Sequence, residues 1–351
     1  MIGGGPVGLS IAIAARRKGL RVVLADGCRP PVDKACGEGV LPDGLEAAER
    51  LGLQLPLTDS FAIRGIRFHG ANVSVSAEFP KGCGRGFRRT VLHQALADQA
   101  ERCGVDLRWG NNVTDLTGIR ARWIVGADGC GSRTRGWAGL NTCRRDSRRF
   151  GFRRHFCVAP WTDHVEIYWG EGCQIYLTPV AAQEVCVALI SRDSGLRVRD
   201  ALRQFPALAD RLESRPETSV ERGSITASRT LRRIVRGNVA LIGDASGSVD
   251  AITGEGLCLG FRQALALADA MESGNLAQYE AAHRRLALRP RFMGDLMLSL
   301  DRWGPLRKRA LTALASHPEL FGGLLAMHVG AASPVDFATN CIALGWTMIN
   351  V

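Results

Sequence analysis

The chain has 351 residues, 46% of them apolar, and a formal net charge of +11. That size supports one large domain or two interlocked ones around a substantial core, and no apolar run approaches the ~18 residues that span a bilayer. The charge alone would point to nucleic acid, but only four of the 45 basic residues are lysines and the arginines are scattered, a compositional bias that leaves nucleic acid out as a partner.

The N-terminus runs straight into a glycine cluster, with no basic segment, apolar core and cleavage site, so a cytoplasmic location is expected. The eleven cysteines form no CxxC pair and the seven histidines no HxxH or HxxxH pair. Neither a disulfide framework nor a metal centre is expected.

Gly3, Gly5 and Gly8 have the GxGxxG spacing, followed by an apolar helix from Ser10 to Lys18, Gly19 as its C-cap, and the strand Arg21 to Asp26. In a dinucleotide site the first glycine makes the turn, the second admits a pyrophosphate and the third lets helix and sheet pack closely. The helix N-terminus then holds the phosphates, and an acid at the position of Asp26 accepts ribose hydroxyls. The strand that should precede the turn is reduced to Met1 and Ile2, so weak cofactor binding is expected.

A loop from Gly27 to Pro42 carries Cys36-Gly37-Glu38-Gly39, whose glycines allow the backbone to approach a flat ring. Asp43 caps a helix that ends at Gly52. Alternation from Ile63 to Phe79 predicts short antiparallel strands. The stripe Val91, Leu92, Leu96, Ala97, Ala100 predicts a helix headed by Arg88 and Arg89, which could reach a phosphate. Val105 to Leu107 and Ala121 to Val125 read as buried strands, the second running into Asp128-Gly129.

From about Phe150 to Ile190 the texture is β, with gly-rich turns, and predicts a second, antiparallel sheet with an aromatic face. Val198 to Leu212 is helical, interrupted by Pro206. The strand Asn238 to Ile242 ends at Gly243-Asp244, and Thr253-Gly254-Glu255-Gly256-Leu257 opens a long helix through Met271. If both strand-glycine-helix junctions face one ligand, Asp244 can bind a polyol hydroxyl and the Gly254 to Leu257 helix start can stabilise negative charge on a ring. The remainder is helical, punctuated by Pro305, Pro318 and Pro334.

These three motifs in order, Gly3 to Gly8 with Asp26, Asp128-Gly129, and Gly243-Asp244, resemble the FAD-dependent monooxygenases of the para-hydroxybenzoate hydroxylase fold. That superfamily also contains geranylgeranyl reductases and flavin halogenases. Cys36 to Gly39 and Thr253 to Gly256 look like the branch shared by geranylgeranyl reductases and small monooxygenases encoded with polyketide synthases. The Trp-x-Trp-x-Ile signature of the halogenases is absent. The resemblance implies FAD held by Gly3, Gly5, Pro6, Gly8, Asp26, Gly37, Glu38, Gly39, Arg89, Val113, Asp128, Gly129, Gly243, Asp244, Gly254, Gly256 and Leu257.

It also implies an α/β fold: a Rossmann-like FAD-binding domain (1–62, 85–145, 230–283), an inserted antiparallel-sheet substrate domain (63–84, 146–229) and C-terminal helices (284–351). The activity implied is an NAD(P)H-driven monooxygenase that hydroxylates or epoxidises an aromatic, polyketide or lipid-like substrate through a flavin C4a-hydroperoxide. No protein nucleophile or catalytic residue is assigned. Tyr168, Trp169, Tyr176 and Pro179 are candidates for the wall facing an apolar or aromatic small molecule. The alternatives are a geranylgeranyl-reductase-like alkene reductase and a non-catalytic flavin-binding partner of a carrier protein. For the latter, Arg144, Arg145, Arg148, Arg149, Arg153 and Arg154 are the candidate anionic docking patch.

Overall fold

The structure, a computed structural model, describes residues 1–350, with the side chains of Pro334 and Asn350 left aside; the predicted C-terminal boundary, Val351, lies outside them. The glycine turn leads into the helix Pro6–Arg17, with Gly5 as N-cap and proline at its first position, where the missing N–H costs nothing. Strand Val23–Asp26 pairs in parallel with Asp106–Trp109, and Ile124–Gly126 pairs in parallel with Val239–Leu241. Ile2 lies between these two pairs and bridges Ala25 on one side and Gly126 on the other. Its rungs are Ile2 N–H to Val125 O at 2.8 Å, Gly3 N–H to Ala25 O at 2.9 Å and Ala127 N–H to Ile2 O at 2.7 Å. Two residues therefore suffice to join the halves into one sheet. Helix Pro6–Arg17 packs on this sheet between Arg89–Arg102 and Gly256–Ser273. The predicted buried strand near Leu107 is instead a partly exposed sheet edge.

The inserted sheet has seven strands in the order Arg222–Leu231, Cys143–Cys157, Glu184–Ser191, Cys173–Ala181, His164–Trp169, Gly65–His69, Ser74–Glu78. All neighbours are antiparallel except His164–Trp169 with Gly65–His69, which corrects a wholly antiparallel reading. That pair joins segments almost a hundred residues apart, so no hairpin dictates its direction. Because side chains alternate across a strand, the sheet serves two cores. Val165, Ile167, Tyr176, Ala188 and Ile190 belong to the main core, whereas Ile175, Leu177, Val185 and Val187 belong to a second one under the short helices Val198–Leu202 and Pro206–Leu212.

A third, small sheet (Gly39–Val40, Gly84–Phe87, Ser60–Ile63) anchors the far end of the Cys36 to Gly39 loop. The C-terminal segment forms the helices Leu276–Leu286, Leu288–Arg302, Gly304–Ser316, Pro318–His328 and Pro334–Asn350. Pro305, Pro318 and Pro334 each fall in a first turn, consistent with proline's place at helix starts.

The arginine cluster is divided between surface and interior: Arg144, Arg145 and Arg148 are exposed and Arg154 is half-buried. Arg149 and Arg153 are buried; Arg149 pairs with Asp250 at 3.2 Å and Arg153 with Asp33. Arg145 pairs with Asp295 at 2.7 Å, and Arg154 with Glu217. The six lie on one long strand, Cys143–Cys157, and alternation sends them to different faces, where local acids neutralise four of them.

Candidate functional site

One large cavity, about 870 Å³, opens between the glycine turn, the Cys36 to Gly39 loop, the Gly243 junction and the inserted sheet. Two helix N-termini without side-chain caps open toward it, those of Pro6–Arg17 and Gly256–Ser273. Their free N–H groups and dipoles favour anionic ligand groups. Gly3 has φ +104°, and a Cβ there would meet the Ala127 carbonyl oxygen at 2.5 Å. A Cβ on Gly8 would come within 2.0 Å of the Gly3 oxygen, so helix and turn pack on bare backbone. Around Gly5, by contrast, an added Cβ meets nothing within 4 Å, which is open space in the cavity wall.

Every residue the resemblance assigns to FAD lines this cavity except Gly8, which lies beneath the turn. The Asp26 carboxylate accepts from Gly4 N–H at 2.6 Å and Cys28 N–H at 2.8 Å, so it is held rigidly at the strand end. Arg89 heads its helix with a buried Nε that has no partner. Asp244 is exposed and lines the cavity; its backbone carbonyl accepts from Gly247 N–H at 3.3 Å, while its carboxylate accepts no hydrogen bond from the described residues. Open backbone, an orphaned guanidinium N–H and a free carboxylate suit the phosphates and hydroxyls of FAD.

Asp128 differs. Its carboxylate accepts from the Ser132 hydroxyl at 2.5 Å and from the Thr134 N–H and hydroxyl at 3.0 Å, so the side chain organises the next turn and the Asp128-Gly129 backbone lines the cavity.

Glu38 lies at the loop's centre with φ +60°, a strained value for a residue with a Cβ. Its carboxylate accepts from Arg89 N–H at 2.9 Å and meets His155 Nε2 at 2.7 Å. On the other side of the ring, Nδ1 is 3.0 Å from Arg153 Nη1 and 2.8 Å from the Ser219 hydroxyl. Because arginine only donates, Nδ1 accepts and Nε2–H donates to Glu38. This acid–imidazole–hydroxyl line was not visible in the sequence, where its members are 117 and 64 residues apart. The donor atoms of Glu38, His155 and Cys186 also lie within 4.8 Å of one another. Arg153 Nε approaches Glu38 at 3.9 Å, placing a fixed cation there, and burial holds the Cys186 thiol well above its ordinary pKa, so the group reads as a hydrogen-bonded clasp.

His93 is a second residue the sequence did not single out. Buried beneath the glycine turn, it meets the Gly4 carbonyl through Nε2 at 2.8 Å, and burial lowers its pKa. A lone histidine in a helical stripe carries no signal of that contact.

At the sheet end the wall is Ile66, Val165, Ile167, Tyr176, Thr178, Ala188 and Ile190. Of the four aromatic-wall candidates only Tyr176 lines the cavity, with its hydroxyl donating to Ile252 O at 2.6 Å. Tyr168 points to the opposite face and donates to Glu166 at 2.7 Å. Trp169 packs in the core edge-on to Phe68, and Pro179 abuts Gly86 through its backbone. Strand alternation separates Tyr168 from Tyr176, and lack of the sheet register hid it. Asp250, buried in the same wall and tied to Arg149 and Ile252 N–H, is a cavity acid absent from the sequence candidates.

The sequence model described as FAD binding domain matches residues 1–277. The chain belongs to that family. It is thus an FAD-dependent oxidoreductase by family. A menaquinone reductase of Mycolicibacterium smegmatis is 25% identical, covering 93% of this chain and 91% of that one. The putative 2-heptyl-3-hydroxy-4(1H)-quinolone synthase AqdB1 of Rhodococcus erythropolis is 29% identical, covering 92% and 93%. A solved flavoprotein/dehydrogenase from Cytophaga hutchinsonii shares the fold, with a TM-score of 0.82 at 18% identity, covering 100% of this chain and 98% of that one.

Proposed function

We propose that the protein is an FAD-dependent monooxygenase, reduced by NAD(P)H, that inserts one oxygen atom of O2 into a flat, apolar, oxygen-bearing ring. The observation that carries the substrate class is the sheet wall of the cavity, where Ile66, Val165, Ile167, Ala188 and Ile190 surround Tyr176, with Phe152 also on the lining. Such a wall binds a ring by burial, at roughly 25 cal/mol per Å² of apolar surface, and excludes water from the reacting face. The quinolone named for the Rhodococcus relative is a molecule of this class.

When bound, FAD supplies the redox chemistry, and the protein's part is orientation and electrostatics. The Gly256–Ser273 N-terminus, which opens on the cavity, would stabilise negative charge on the reduced ring. Gly5, Asp26 and Arg89 would hold the pyrophosphate and adenosine end, and Asp244 the ribityl hydroxyls. Tyr176 fixes the substrate wall through its bond to Ile252 O.

A second reading, hydride transfer to a quinone or an isoprenoid double bond, is favoured by the menaquinone reductase that covers almost the whole chain. Oxygen separates the two. FAD-loaded protein, given NAD(P)H and a panel of quinolones, naphthoquinones, phenols and isoprenoids, is expected to consume O2 in step with product. Turnover that continues undiminished under anaerobic conditions would establish the reductase reading instead.

A further inference from the structure

Helix Gly256–Ser273 has an acid, Glu255, as its N-cap residue, yet no side chain caps it. A carboxylate beside a helix N-terminus is attracted to the free N–H groups of the first turn. Glu255 is buried and lines the cavity with Gly254, Gly256 and Leu257, but its carboxylate turns to other partners. Oε1 lies 3.4 Å from both Arg262 Nη2 and Arg289 Nη2. Oε2 has no hydrogen-bond partner among the described residues and lies 3.5 Å from His328 Nδ1.

The same two guanidinium groups hold Asp43, with Arg289 Nη2 at 2.6 Å and Arg262 Nη1 at 3.1 Å from Oδ2. Two cations thus face two carboxylates, and no side chain of the four is more than 18% exposed. The contacts to Glu255 are long, so charge, more than hydrogen bonding, sets where its carboxylate rests.

The two arginines differ in what else they do. Arg262 stands about two turns along the same helix and also donates from Nε to Cys258 O at 3.3 Å. Arg289 reaches in from the C-terminal helix Leu288–Arg302, and its guanidinium fills the place that a Cβ on Gly330 would take. Without Arg289, two buried carboxylates would share one guanidinium beside the helix start, an arrangement that leaves charge unpaired. The free donors open to Glu255 would then be the N–H groups of its own helix, the groups that open on the cavity.

We propose that Arg289 is a positioning residue that holds the Glu255 carboxylate aside and neutralised, so that the Gly256 helix start is left to the negative charge of the reduced flavin ring. The inference rests on the flavin reading given above, but not on what the flavin reacts with. Its test uses neither O2 nor substrate, so it and the proposed reaction can fail separately.

The test is a spectroelectrochemical titration of the FAD-loaded full chain, because whatever stabilises the reduced ring raises its midpoint potential. Arg289→Gln is expected to lower the potential by about 30 mV or more, a tenfold change in a two-electron equilibrium. Arg289→Lys, which keeps the charge, should stay near the parent. Glu255→Gln, close to isosteric, should raise the potential, and Glu255→Gln/Arg289→Gln should return it toward the parent's value. Arg289→Gln at the parental potential would overturn the proposal. So would a fall that persists in full in the double variant, the result expected if the substitution merely loosened the C-terminal helices. Should Arg289→Gln not fold, Glu255→Gln decides alone, since a parental potential there would remove the carboxylate from the flavin's field.

Discussion

Glu38 Oε2 and His155 Nε2 meet 2.7 Å apart, both buried, and through them the loop beside the large cavity is fastened to the inserted sheet. The contact explains how a residue at φ +60° is tolerated, since the carboxylate also accepts from Arg89 N–H and so binds loop, helix and sheet at one point. Removing one partner leaves buried polar groups unpaired, a loss of about 3–5 kcal/mol when a charge is stranded. Glu38→Ala is therefore expected to unfold well before the parent and to lose flavin. Glu38→Gln, whose amide oxygen still accepts, should cost only about 1–2 kcal/mol. Thermal unfolding of both variants checks this, and equal losses would show that the carboxylate is not what fastens the loop.

The glycine turn that walls the cavity was legible in the sequence because its signals are local. Gly3, Gly5 and Gly8 fall within six residues, and Asp26 ends the next strand. The clasp was not legible, because Glu38 sits in a loop and His155 on the strand Cys143–Cys157, 117 residues apart, and only the tertiary fold brings them together. Likewise the alternation of residues 164–177 was visible, but which face looks into the cavity depends on sheet packing, so Tyr176 and Tyr168 could not be told apart. The arginine cluster was legible only in part for the same reason: adjacency along a strand is not adjacency on a surface, and Arg149 and Arg153 turn inward.

Gly5 and Gly8 are expected to fail differently. A methyl group at Gly8 has no room, standing 2.0 Å from the Gly3 oxygen, so Gly8→Ala should lower the melting temperature and lose flavin. At Gly5 the methyl group enters empty cavity. Gly5→Ala should keep the parent's stability without cofactor and bind FAD about tenfold or more weakly, as backbone approach to the pyrophosphate is blocked. Differential scanning fluorimetry with and without FAD separates the two, and a Gly5→Ala protein with parental flavin affinity would argue against pyrophosphate at this turn.

Tyr176 and Tyr168 provide a matched pair on opposite faces of one sheet. Tyr176→Phe loses the bond to Ile252 O in the cavity wall and should change KM for substrate severalfold. Tyr168→Phe loses a bond to Glu166, whose carboxyl also meets Trp161 Nε1 at 3.2 Å and Arg67 at 3.1 Å. It should cost about 1–2 kcal/mol of stability and leave KM unchanged. Steady-state kinetics on both variants test the assignment of faces, which an altered KM in Tyr168→Phe would reverse.

His283 is expected to set part of the acid limit of stability. It is buried behind the Gly243 junction, where Nε2 lies 2.8 Å from the Ser246 hydroxyl. Burial, followed by the charges of Arg291 and Arg284, lowers its pKa from 6.5 to about 4. Between those values the unfolded chain binds the proton and the folded chain does not, so this contribution is complete above pH 6.5 and is lost as pH falls toward 4. A shift of that size corresponds to roughly 3 kcal/mol. The melting temperature of the parent should fall over this window, and His283→Gln, which can still hydrogen-bond Ser246 and does not titrate, should flatten the fall while lowering the plateau. A variant whose profile from pH 6.5 to 4 follows the parent's would show that the proton is taken up elsewhere. Glu166 acts in a separate range, since its pKa of about 2 places the loss of its contribution between pH 4.5 and 2.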